Sequence, residues 1–106
     1  MDDESTPFSL IRADRRQLRK RSKVVYGNAD RLEVAYAVMQ SSSRVVHAQE
    51  LAQTLGITAS RVRAQLLALV DAGLMVMLPR TGQTQDYERL DDPFWDSVSA
   101  IVERWS

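Results

Sequence analysis

The chain reads as an α+β, mostly helical fold, and three observations carry that expectation. Residues 47–72 hold two apolar-faced helical segments separated by Leu55-Gly56-Ile57-Thr58. Residues 74–90 hold an apolar run, a polar loop around Gly82 and a second short segment able to pair back. Residues 93–105 carry an aromatic and aliphatic stripe at helical spacing behind an Asp-Pro start. Tight turn, hairpin and flanking helix together predict a single small domain over 9–106, since 106 residues suit one domain.

Each element has a local cause. Residues 1–8 show no hydrophobic pattern and read as a mobile tail. A basic helix is expected over about 9–25, with Ile11, Leu18 and Val25 as a narrow apolar seam. Gly27-Asn28 interrupts it, and Asn28 is a ready cap for a helix whose face is Leu32, Ala35, Tyr36 and Met39. Gln40 to Arg44 reads as loop, and Val45-Val46 as a minimal strand.

The helix-turn-helix is expected over 47–72. His47 stands at an N-cap with Glu50 three residues on, as in a capping box, which explains this lone histidine without a ligand or catalytic role. Leu51, Ala52 and Leu55 share a face, and Gly56 occupies the position after a helix where a left-handed backbone is cheap only for glycine. Ile57 plugs the corner, Thr58 caps the next helix, and Val62, Leu66, Leu69 and Val70 form its buried side until Ala72-Gly73. A hairpin, the candidate wing, is expected over 75–90, where Leu74 to Leu78 ends at Pro79 and Asp86 to Leu90 returns. The last helix, 93–105, starts at Asp92-Pro93 and carries Phe94, Val98, Ile101 and Trp105, widened by Trp95 and Val102.

Composition narrows the function. No apolar run approaches the roughly eighteen residues of a membrane span, and the acidic start, MDDESTPF, lacks a signal-peptide pattern, so a cytoplasmic protein is expected. Zero cysteines and one histidine argue against disulfides, thiol sensing and a dedicated transition-metal site, and no cofactor is expected. There is no Gly-rich phosphate loop and no nucleophile beside a general base, so an enzyme is not expected. Net charge is zero but unevenly spread. Arg12, Arg15, Arg16, Arg19, Lys20, Arg21 and Lys23 are half of the 14 basic residues, while the chain from Asp86 onward is acidic.

The run ELAQTLGITASRVRAQLLALVDAGLM, with its ELA, LGI, SRV, L-x-x-L and AGL elements, resembles the winged helix-turn-helix domains of the ArsR and MarR-like bacterial regulators over about residues 31–90. The resemblance implies a homodimer that binds double-stranded DNA and regulates transcription, as a repressor, with the second helix in the major groove. Carried over, the groove-facing positions are Ala59, Ser60, Arg61, Arg63, Ala64 and Gln65 behind Thr58, with Val62 and Leu66 in the core. Arg61 sits in the first turn, where the helix dipole disfavours a cation, so local stability does not explain it and DNA contact does. Arg80, Thr81 and Gln83 at the wing, and Arg15, Arg16, Arg19 and Lys20 in the basic segment, are the remaining candidate contacts. For that segment the acidic C-terminal region, in the same or a partner subunit, is an alternative to phosphate.

The family's habit of dimerising through flanking helices assigns Ile11, Leu18, Phe94, Trp95, Val98, Ile101, Val102 and Trp105 to a dimer seam. Cysteine or clustered histidine, the metal-sensing device of some members, is missing, and the residues name no small-molecule or protein effector. A rival reading keeps the scaffold but makes the Phe94 to Trp105 face a protein-docking patch, with little or no DNA binding.

Overall fold

A computed structural model describes residues 15–105. In order, the elements are α1 (Arg15–Tyr26), α2 (Arg31–Gln40), β1 (Val45–His47), α3 (Ala48–Leu55), α4 (Ala59–Asp71), β2 (Met75–Met77), β3 (Asp86–Arg89) and α5 (Pro93–Trp105). The described residues thus form an α+β fold of five helices and one antiparallel sheet of order β1-β3-β2. The expected tail, the start of the basic helix, Ile11 and the side chain of Trp105 lie outside what is described.

Helix α2 is the centre. Its sequence, RLEVAYAVMQ, is apolar nearly all round, and every residue from Leu32 to Val38 is buried. A helix without a polar face must be covered on all sides, and α1, α3, α4 and α5 all pack on it. The single buried face expected from Leu32, Ala35, Tyr36 and Met39 was too narrow, and Met39 is only partly covered.

The start of α2 also differs from expectation. Asn28 does not cap the helix; its Oδ1 accepts the Asp30 N–H at 2.8 Å and closes a turn one step earlier. Asp30 occupies the cap position but makes no side-chain cap bond. Buried Ser22 of α1 serves instead, accepting the Leu32 N–H at 3.1 Å and donating to the Asn28 carbonyl at 2.7 Å. This leaves the Asp30 carboxylate for other partners. In α1 only Leu18 and Ser22 are buried; Val25 is 59% exposed, so no seam continues through it.

The α3–α4 corner follows local chemistry. His47 Nδ1 accepts the Glu50 N–H at 3.4 Å. Gly56 takes φ 70°, ψ 31°, and the Ala52 carbonyl accepts the N–H groups of Gly56 and Ile57. Thr58 Oγ1 accepts the Arg61 N–H at 3.2 Å to start α4. The far end closes as a Schellman motif, with Gly73 donating to Val70 and Leu74 to Leu69, both at 2.9 Å.

In the sheet Val46 pairs with Tyr87 and Met75 with Arg89, and Val46, Tyr87 and Met75 turn to the core. The hairpin narrows to Thr81 and Thr84, which bond to each other across Gly82-Gln83, and the Gln85 amide donates to the Leu78 carbonyl at 2.6 Å.

Asp92 caps α5 by accepting the Phe94 N–H at 2.8 Å. Trp95, Val98 and Val102 are its buried line against α2, while Phe94 and Ile101 are partly buried. The expected stripe from Phe94 to Trp105 is therefore turned: its centre runs through Trp95.

Replacing Gly56 by alanine is expected to lower stability by about 1 kcal/mol. No atom lies within 4 Å of the added Cβ, so the cost is backbone conformation alone. The urea midpoint reads it, and an unchanged midpoint would show that the left-handed turn does not constrain this corner.

Candidate nucleic-acid interface

Two carboxylates at the start of α2 organise the charged residues. Glu33 is 0% exposed, and Arg15 reaches its two oxygens through Nε at 2.5 Å and Nη2 at 3.2 Å. Arg19 Nη1 donates to Glu33 at 3.1 Å and to Asp30 at 2.7 Å. Arg61, from α4, completes the lattice with Nε on Asp30 Oδ2 at 3.0 Å and Nη2 on Oδ1 at 2.7 Å. Arg15 Nη2 also donates to the carbonyl of Leu55, the last residue of α3, at 2.6 Å. A buried carboxylate without such partners would cost several kcal/mol. The hydrogen bond from Arg61 holds the Asp30 carboxyl below its usual pKa; burial opposes this and Arg19 adds to it.

This lattice corrects several expectations. Arg15 and Arg19, expected as phosphate contacts or as partners of the acidic C-terminal region, instead bond to the buried carboxylates Glu33 and Asp30. Arg61 has a structural explanation after all, a carboxylate 31 positions away in sequence. Gln65 does not face a groove: it is buried, and its Oε1 accepts from Arg31 Nε at 2.8 Å. Ala59 is partly buried against the core. The sequence held one clue to the lattice, since a glutamate inside an otherwise apolar helical run has to be paired.

The outward line of α4 consists of Ser60, Arg63, Ala64 and Leu67, all exposed and spaced to share one face. Leu67, 40% exposed, was missed by the sequence reading, although its spacing from Ser60 and Ala64 places it on that line. Arg63 has no hydrogen bond or ion pair among the described residues. It lines a cleft of about 210 Å3 together with Arg80, Gln83 and Thr84 of the hairpin and His47 and Gln49 at the start of α3. Arg80 Nη1 makes a long bond of 3.4 Å to the Gln83 carbonyl, and Thr58 and Thr81 are exposed nearby in sequence to these groups. The structure thus brings Arg63, Arg80 and Gln83 to one cleft and places Arg16 and Lys20 on the exposed side of α1.

Of the residues expected in a dimer seam, Leu18, Trp95, Val98 and Val102 are at most 3% exposed within the single chain, where they pack on α2, while Phe94 and Ile101 are partly buried. Among the described residues no helix is long and apolar enough to cross a membrane, and no group of ligating side chains could hold a metal ion. Comparison with family models, curated proteins and solved structures yields no match.

Because the folded pKa of Asp30 is depressed, its carboxylate adds stability above the unfolded pKa, and this is lost as pH falls through the folded value. Asp30→Asn should therefore be less stable than the parent at neutral pH, with the difference shrinking below about pH 4. Urea unfolding across that range checks it; a pH-independent difference would assign the loss to packing instead of charge.

Proposed function

We propose that this chain is a winged helix-turn-helix protein that binds double-stranded DNA, as a homodimer in the cytoplasm, and represses transcription by occupying an operator. The reading is supported chiefly by one observation: Arg63, on the exposed line of α4, and Arg80, in the β2–β3 hairpin, line the same cleft. A helix fits the roughly 12 Å major groove. With α4 in that groove, Arg63 and Ser60 offer donors to base edges or phosphate, and Leu67 an apolar contact of the kind a thymine methyl takes.

The hairpin tip then lies toward the flanking backbone, with Arg80, Thr81 and Gln83 as polar contacts. Arg16 and Lys20 add charge that no described carboxylate neutralises. Two-fold symmetry would give a site of inverted half-sites about one helical turn apart. The rival reading, a protein-docking patch on the Phe94 to Trp105 stripe, has less support, since Trp95, Val98 and Val102 in its middle pack on α2.

Titration of a labelled random-sequence duplex at several salt concentrations tests the proposal. Binding should strengthen at low salt, and Arg63→Ala and Arg80→Ala should each reduce the magnitude of the salt slope by about 0.9 per protomer where the arginine meets a phosphate. No binding at low salt would overturn DNA as the ligand; binding indifferent to both substitutions would overturn this face.

A further inference from the structure

The Arg61–Asp30 pair stands at the edge of the candidate interface, on the first turn of α4, and its geometry is directional. Asp30 takes the Nε and Nη2 side of the guanidinium, at 3.0 and 2.7 Å. That leaves the opposite edge, Nη1 with the second Nη2 hydrogen, as a pair of coplanar donors directed away from Asp30. Nη1 makes no hydrogen bond among the described residues, and the side chain is 44% exposed.

The carboxylate behind it is immobilised in turn. Asp30 is 8% exposed and receives Arg19 at 2.7 Å, and Arg19 is anchored on fully buried Glu33. A chain of ion pairs therefore runs from the exposed guanidinium into the core.

We propose that Asp30 is a positioning residue that fixes the plane of Arg61, so that the free edge of Arg61 reads guanine O6 and N7 in the major groove. The inference rests on the DNA reading above and deepens it. Two points favour a base edge over a phosphate. A carboxylate beside a phosphate-binding arginine lowers the local positive charge and weakens plain attraction. What it supplies is orientation, and a two-point match to guanine depends on the plane of the fork in a way that contact with a round phosphate does not.

Charge and positioning therefore make opposite forecasts for Asp30→Asn. Neutralising the carboxylate leaves one more positive charge on the surface, so charge alone tightens binding to every duplex. Loss of positioning weakens binding to the preferred sequence only.

The test uses the full chain and two labelled duplexes of equal length. One is enriched from a random pool by the parent protein, and the other is the same sequence with its G·C pairs exchanged for A·T. Asp30→Asn should lose about tenfold in affinity for the enriched duplex, with equal or tighter binding to the exchanged one. Arg61→Lys, which keeps the charge but not the fork, should lose the same discrimination, and the double variant no more than either.

Retained discrimination in Asp30→Asn, or equal tightening on both duplexes, would overturn the inference and leave the pair purely structural. Should circular dichroism show Asp30→Asn unfolded, Arg61→Lys decides: an unchanged ratio overturns the inference. A parent that binds both duplexes equally keeps the DNA reading and removes this one. A parent that binds neither at low salt removes both.

Discussion

Burying Glu33 and Asp30 at the head of a helix that is covered on every side is the constraint from which the arrangement of this molecule follows. Such carboxylates need cationic donors from outside the helix, and the donors come from two directions: Arg15 and Arg19 of α1, and Arg61 of α4. The requirement joins helices that are far apart in sequence. Arg15 extends the lattice to the end of α3 through the Leu55 carbonyl. Capping of α2 is delegated to Ser22, which frees Asp30 for this role. Three arginines against two carboxylates leave one positive charge in excess, at the edge of the face that carries Arg63.

The lattice sorts the basic residues into groups. Arg15 and Arg19 are half-buried on internal carboxylates, Arg61 is paired with Asp30 yet still exposed, and Arg16, Lys20, Arg63 and Arg80 are exposed with no ion pair among the described residues. A chain of zero net charge can thus present a locally positive surface, because part of its acid is buried and part lies toward α5. For an interaction screened over about 10 Å, that local distribution matters more than the sum.

What the sequence made legible was chemistry acting over a few residues. The left-handed turn at Gly56, the caps at His47, Thr58 and Asp92, the closure at Gly73 and the pairing of β2 with β3 each depend on neighbours or near neighbours. The assignments that failed depend on distant partners. Gln65 looked outward until Arg31 reached it, and Arg61 looked unexplained until Asp30 did. On α5 both Phe94 and Trp95 begin plausible stripes, and only the packing of α2 selects the second. The all-round burial of α2 was readable from its composition, and Glu33 within it was the overlooked sign of the lattice.

The proposal that the exposed line of α4 and the neighbouring hairpin form one DNA-facing surface is tested most directly by mapping amide chemical shifts of the 15N-labelled chain against an unlabelled duplex at low salt. Shifts concentrated at Ser60, Arg63, Ala64 and Leu67 and at residues 80–84, with α5 unmoved, are the expected result. Shifts centred on α5, or none at all, would contradict it.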